Sequence, residues 1–255
     1  MRGLGDMFTD HLIKKRDYDS GNRVLNYFFS ILNAGSDISE SQQKGGRSFC
    51  GLLHGWNNFL RGGAKRRFDI IMSLLILLPA LPVMLLVMMA IWLSTFGREP
   101  VFYRQQRVGL NGASIDMIKF RSMRVDAEAG GVRTAALHDR RVTRIGRFIR
   151  KSRIDELPQL FNVLRGEMSL VGPRPERPEF VMRYDRQIEG YTLRHSVKPG
   201  ITGWAQVSCG YGETLEDAVI KLFYDLNYIR KGCLRLDLAI LLQTIPVVLT
   251  GRGAR

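Results

Sequence analysis

Cysteine is scarce in this chain: Cys50, Cys209 and Cys233 are three residues in 255, widely spaced and without a C-x-x-C pair. A disulfide framework and a thiolate zinc centre are therefore excluded, and isolated thiols suit a reducing compartment. Histidine is nearly as rare, and His11, His54, His138 and His195 are scattered as surface or packing residues, so a histidine-dependent mechanism is not expected. Acidic side chains are also short, with 24 Asp+Glu against 38 Lys+Arg and a formal net charge of +14. Such an imbalance calls for a polyanionic partner: nucleic acid, an anionic lipid surface or a phosphorylated substrate. No zinc ligand set, recognition-helix pattern or aromatic-plus-basic strand motif of the kind that reads bases is present, so nucleic acid is not the expected partner.

What remains is ordinary globular usage, 45% hydrophobic and 24% charged, which rules out collagen-like and wholly disordered classes. The mean hydropathy of −0.08 conceals one feature. Residues 70–96 contain no charged side chain and consist almost entirely of Leu, Ile, Met, Val, Ala and Pro. About 20 such residues cross a bilayer core. The run follows sixty mostly polar residues and precedes no small-residue cleavage site, so it is not a removable signal peptide. A buried central helix of a soluble domain is the bland alternative, but such helices seldom exceed about 14 apolar residues.

Both flanks of the run are basic: Arg61, Lys65, Arg66 and Arg67 against Asp69 upstream, and Arg98, Arg104 and Arg107 against Glu99 downstream. Basic flanks are retained on the cytoplasmic side, so both ends favour the same side. Pro79 and Pro82, near the middle, each remove a backbone donor and press on the preceding turn. A helix that enters, breaks at these prolines and returns to the same face satisfies both observations; a Pro-kinked single span is the competing reading.

Residues 1–60 are expected to form an N-terminal tail, partly disordered and without chemistry, because residues 36–47 are polar and no periodicity is sustained. Residues 61–97 are expected to form the membrane segment and residues 98–255 a further domain on its cytoplasmic side. Asn111-Gly112 favours positive φ in a tight turn, predicting a small hairpin from residues 101–108 and 113–120, followed by a loop over 123–137. Residues 140–153 carry seven cations, of which Arg140, Arg144, Arg147 and Lys151 share helical spacing opposite Ile145, Phe148 and Ile149, the pattern of a helix lying on an anionic membrane surface. A short helix stopped by Gly166 is expected from Ser152, with Ser152 and Asp155 at S-x-x-D cap spacing. That cap alone would explain Asp155. Alternatively, Asp155 and Glu156, pointing different ways beside exposed amides, form a reacting carboxylate and a metal-holding one.

In residues 172–178, Pro173 and Pro175 bracket Arg174 and fix the backbone around a planar five-donor fork suited to phosphate; an incidental cation in a Pro-rich turn is the alternative. Residues 197–206 read as turn-rich. Thr214 caps a helix that ends before Gly232. The apolar stretch 236–249, interrupted by Asp237 and Pro246, is too short to span and is expected to lie in the interface or pack on the domain.

The ordered segments Lys119-Phe-Arg-Ser-Met123, Asp155-Glu-Leu-Pro-Gln159, Val171-Gly-Pro-Arg-Pro175 and Lys198-Pro-Gly-Ile-Thr-Gly-Trp-Ala-Gln206 together resemble the bacterial sugar transferase family, the polyprenol-phosphate phosphoglycosyl transferases. The resemblance covers about residues 65–255. It implies a bacterial inner-membrane enzyme that passes a hexose 1-phosphate from a UDP-sugar to undecaprenyl phosphate and releases UMP, the first membrane step of exopolysaccharide or related glycan synthesis. It further implies that Asp155 is the nucleophile, that Glu156 serves Mg²⁺, and that Arg174 and Arg150 offset phosphate charge. Lys119 and Arg121 are candidates for phosphate binding or structural pairing. Many relatives have Asn and Arg after Trp-Ala-Gln, whereas this chain has Val207-Ser-Cys-Gly-Tyr-Gly212, so sugar preference does not transfer. Larger relatives carry extra N-terminal membrane helices, and this chain resembles the small members with a short tail. The expected architecture is α+β and mainly helical: a monotopic membrane protein with one re-entrant Pro-broken helix, interfacial amphipathic helices and a small β-hairpin. Its partners would be the two substrates, anionic lipids and, in a homo-oligomer, further copies of itself. A non-catalytic single-span protein with a basic polyanion-binding domain is the alternative function.

Overall fold

A computed structural model describes residues 58–129, 131, 139–209 and 214–250. The expected tail to residue 57, Cys50, His11, His54, His138 and Gly210-Tyr211-Gly212 lie outside the described residues. The elements run α1 (Asn58–Arg61), α2 (Gly63–Ser94), β1 (Phe102–Val108), β2 (Ser114–Phe120), α3 (Arg144–Lys151), α4 (Gln159–Arg165), β3 (Ser169–Val171), α5 (Pro178–Asp185), β4 (Gly200–Thr202), α6 (Trp204–Ser208), α7 (Leu215–Lys231) and α8 (Leu234–Thr250). The architecture is thus α+β and mainly helical, as expected.

The apolar run lies in α2, which is long and apolar enough to cross a membrane. Pro79 and Pro82 lie inside it, and the break expected at them is not found: the helix runs without interruption from Gly63 to Ser94. Each lacks the amide that would donate one turn back, yet the backbone remains helical on both sides. Leu74, Leu75, Leu78, Leu85, Leu86, Met89 and Leu93 are exposed, an apolar surface larger than a water-facing protein ordinarily presents. Leu77, Met84, Val87 and Ile91 are buried in the hydrophobic core. Phe96 and Gly97, with φ of 50° and 71°, turn the chain sharply once the helix stops, and the Gly97 amide bonds the Trp92 carbonyl.

The two ends of α2 are fastened to one body. At its start, Arg66 donates to the Val163 and Leu164 carbonyls of α4. Lys65 pairs with Asp69 at 3.0 Å and with Asp237 of α8 at 2.7 Å, all three buried. Asp69 accepts from the Ser169 hydroxyl and the Leu170 amide of β3, and the Tyr228 hydroxyl lies 2.7 Å from Asp237 Oδ1. At the other end, Glu99 pairs with Arg121 and the Arg121 amide donates to Val101, just before β1. Buried Asn162 then stitches β2 to α4, taking the Ile118 amide at 3.1 Å and donating to the Asp116 carbonyl at 2.8 Å.

The hairpin β1–β2 is antiparallel with Val108 opposite Ser114. Its turn is longer than a two-residue one, but Asn111 has a φ of 53° and Gly112 a φ of 80°, the conformations that this dipeptide favours. The capping box at Thr214 and Asp217 forms, and α7 ends at Lys231. In α8, Ile240 packs inward while Leu238, Leu242 and Ile245 remain exposed.

Three local expectations are corrected. Ser152 caps no new helix; it is the C-cap of α3, and its hydroxyl donates back to the Phe148 and Ile149 carbonyls. The chain reverses at Arg153, whose φ is 57°, and resumes as a 3-10 turn over Ile154–Glu156 before α4, which Gly166 ends. Arg140 lies outside the basic helix, because Thr143 is the N-cap and accepts from the Gly146 amide at 2.9 Å. Within residues 197–206, Gly200–Thr202 pairs in parallel with Ser169–Val171, too short a strand to show a period-two pattern.

Lys65 holds two buried carboxylates, so its removal leaves both uncompensated. Lys65→Met should cost about 3–5 kcal/mol, read as a lowered midpoint in detergent-solubilised thermal or denaturant unfolding; an unchanged midpoint would show the pair to be energetically idle.

Candidate functional site

Asp155 and Glu156 lie in the 3-10 turn that Arg153 opens. Because Ser152 is spent on the preceding helix, Asp155 has no capping role, and the structural explanation for it falls away. Asp155 is buried, 7% exposed.

Glu156 organises the surrounding cations. Its Oε1 accepts from Lys119 Nζ at 3.2 Å and Arg174 Nη2 at 2.8 Å, with Arg153 Nη1 at 3.9 Å. Lys119 comes from β2, Arg153 from the left-handed junction and Arg174 from the proline loop. Against its burial, Arg174 and then Lys119 hold the Glu156 carboxyl well below the usual carboxylate range. Burial, reinforced by Glu156, pushes the Asp155 carboxyl up to about 6, with Lys119, Arg150 and Arg153 opposing the rise. Burial also lowers Lys119 and Arg150 from their ordinary values. Two adjacent carboxylates thus occupy opposite regimes, one firmly ionised and one poised near neutrality.

The loop bearing Arg174 is held through its own carbonyls. The Pro173 oxygen accepts from the Gly200 amide and that of Glu176 from the Val108 amide. Between them, Arg194 donates to the Arg174 carbonyl and Arg107 to that of Pro175. Gly172 and Gly203 permit this packing, since a Cβ at Gly203 would stand 2.2 Å from the Gly172 carbonyl oxygen.

Of the residues singled out from sequence, Glu156, Arg174 and Lys119 therefore meet directly, and Asp155, beside Glu156 in the chain, is coupled to Glu156 and Lys119 through charge. Arg150 acts on Asp155 through charge. Arg121 is used elsewhere, buried against Glu99, the structural pairing that its sequence position left open. Arg153, Arg107 and Arg194 were not anticipated as members of the site. Arg153 counts in the sequence only as one of the seven cations of residues 140–153, and isolated arginines such as Arg107 and Arg194 carry no local signal.

The arrangement suits attack by a poorly solvated carboxylate on an electrophile bearing several negative charges. No group of three or more His, Cys, Asp or Glu able to hold a metal occurs among the described residues. The adjacent carboxylates nevertheless fit Mg²⁺, which takes one or two carboxylates and completes its shell with water and substrate phosphate oxygens.

A profile described as bacterial sugar transferase matches residues 60–251. The chain is 47% identical over 191 residues to the UDP-N-acetylgalactosamine-undecaprenyl-phosphate N-acetylgalactosaminephosphotransferase of Aeromonas hydrophila, covering 75% of this chain and 45% of that protein. It is likewise 47% identical over 194 residues to the UDP-glucose:undecaprenyl-phosphate glucose-1-phosphate transferase of Xanthomonas campestris pv. campestris, covering 75% and 40% respectively. A protein of that same name from Caulobacter vibrioides is 42% identical over 192 residues, 74% of this chain and 71% of the relative. The chain therefore spans less than half the length of the first two.

The raised Asp155 value means that the fold favours the protonated form, so this group lowers stability as pH rises from the unfolded 3.8 to about 6. A carboxyl-¹³C titration should place Asp155 near 6. Glu156→Gln, which removes the like charge, should move that midpoint down; an unchanged or higher midpoint would separate the two groups.

Proposed function

The chain belongs to the bacterial sugar transferase family, and on that premise we propose that it transfers a hexose 1-phosphate from a UDP-sugar to undecaprenyl phosphate, releasing UMP. The observation that carries the reading is a buried, weakly acidic carboxylate at Asp155 ringed by Lys119, Arg150 and Arg153, with Glu156 and Arg174 beside it. An Asp155 oxygen attacks the phosphorus that bears the sugar, forming an acyl phosphate as the P–O bond to the UMP phosphate breaks and UMP leaves with the electron pair. An oxygen of the lipid phosphate then attacks the same phosphorus, the Asp155–phosphorus bond breaks, and the carboxylate is restored. Arg174, Arg150 and Lys119 offset charge on the phosphoryl oxygens in both displacements. Glu156 is the residue that would hold Mg²⁺, and the chemistry such an ion would supply is neutralisation of phosphate charge.

The exposed apolar surface of α2 supports membrane association, and attachment of both ends of α2 to α4 and its strands supports a re-entrant path. A span with flanks on opposite sides would have to tear Arg66 from α4 or Asn162 from β2. Arg144, Arg147 and Lys151 on α3, with Phe148 67% exposed, would rest on anionic lipid beside the site. On this reading catalysis would take place at the cytoplasmic face of the bacterial inner membrane, in the opening step of exopolysaccharide or related glycan synthesis.

Incubation with UDP-glucose and UDP-N-acetylgalactosamine plus undecaprenyl phosphate should release UMP and, without acceptor, leave a labelled phosphosugar on the protein. Asp155→Asn should lose activity by at least about 10³-fold and trap no label, and chelation should stop turnover until Mg²⁺ is restored. Full turnover by Asp155→Asn would sink the nucleophile, and indifference to chelation would remove the metal. Single cysteines placed at residues 62 and 98 in membrane vesicles should label from the same side; labelling from opposite sides refutes the re-entrant path.

A further inference from the structure

Arg174 touches Glu156 through its guanidinium, but what places Arg174 lies behind it. The Arg194 guanidinium is buried, 4% exposed, and each of its three nitrogens donates a hydrogen bond. Nε and Nη2 donate to Asp225 Oδ2 at 2.9 and 2.7 Å. Nη1 donates to the Tyr191 hydroxyl at 2.9 Å, and Nη2 also donates to the Arg174 backbone carbonyl at 3.0 Å. Asp225 is itself 2% exposed, on α7, so a buried ion pair is anchored to a long capped helix and ends on the one peptide that carries the site arginine.

Burying such a pair is seldom repaid in stability alone, since apolar residues of similar volume commonly do as well. Here the pair supplies something that they cannot. Pro173 and Pro175 offer no amides, so the loop is gripped through its carbonyls, and only a donor arriving from outside can fix the Arg174 peptide.

We propose that Arg194, held by Asp225 and Tyr191, is a positioning residue that sets Arg174 against Glu156 for recognition of the donor's diphosphate. The diphosphate role rests on the transferase reading above; the positioning role does not. A lysine at 194 would retain the charge facing Asp225 but lacks the planar fork needed to reach Asp225, Tyr191 and the Arg174 carbonyl together.

The test combines two measurements on the full chain in detergent. Arg194→Gln and Arg194→Lys are each assayed for UMP release, alone and with Arg174→Ala, using whichever of UDP-glucose and UDP-N-acetylgalactosamine the unsubstituted chain turns over faster. Each single change should lower kcat/KM by about tenfold, with KM for the UDP-sugar rising and that for undecaprenyl phosphate unmoved, and should add no more than about twofold to Arg174→Ala. Independently of turnover, amide hydrogen exchange across residues 174–177 should quicken in Arg194→Lys and stay unchanged in Arg174→Ala, which keeps the carbonyl that Arg194 holds. Additive losses, or exchange across residues 174–177 that stays unchanged in Arg194→Lys, would overturn the proposal. If Arg194→Gln does not fold, Arg194→Lys carries both readouts. Absence of UMP release by the unsubstituted chain would sink the transferase reading alone, leaving hydrogen exchange to decide the positioning role.

Discussion

A single carboxylate oxygen makes the site possible. Lys119, Arg153 and Arg174 come from three separate parts of the chain and converge on Glu156 Oε1. Gathered in a poorly solvated volume without an anion, they would repel one another strongly enough to oppose the packing of the elements that bear them. Glu156 removes that obstacle, and the consequence falls on its neighbour: the same negative charge, together with burial, raises the proton affinity of Asp155. A substrate bearing several negative charges meets cations already gathered and a carboxylate that hydration does not blunt. Organisation of charge before the substrate arrives is the part of catalysis that a fold can supply.

Everything around that oxygen serves to keep its partners in reach. Asn162 fixes β2 so that Lys119 faces the 3-10 turn. The left-handed Arg153 both ends α3 and turns its own guanidinium toward Glu156. The proline loop gains rigidity from its lack of amides, and its carbonyls are taken by donors from β1, β4 and the Tyr191–Ser196 turn. The polar base of α2 is part of this scaffold: Arg66 grips α4 directly behind the turn, while Lys65 and Asp69 reach α8 and β3.

Features governed by neighbouring residues were legible in the sequence. Asn111-Gly112, the Thr214–Asp217 box and the stop at Gly166 act within a few residues of themselves, and each is found in place. Ser152 was misread for the same reason in reverse: its spacing to Asp155 satisfies a cap pattern, but a positive φ at an arginine is not announced by any local pattern, and that angle returns the hydroxyl to the helix behind. Longer-range facts were hidden. Lys65, Asp69 and Asp237 read as flank charges and an interruption, because a buried triad assembled from opposite ends of the chain has no periodicity. The four-motif resemblance drew Lys119, Asp155, Glu156 and Arg174 together, but offered no account of Arg194 or Arg107, which act on backbone rather than on the carboxylates.

The fastening of both ends of α2 bears on how this protein can be handled. A cut placed after Ser94, intended to free a water-soluble catalytic piece from its apolar helix, would also discard Lys65, Arg66 and Asp69. Asp237 would lose its cation, the α4 carbonyls their guanidinium and the Leu170 amide its acceptor, all beneath the reacting turn. The body that carries the Asp155–Glu156 turn is not separable from α2; the first two turns of that helix are among its foundation stones, so a single cut cannot part the two.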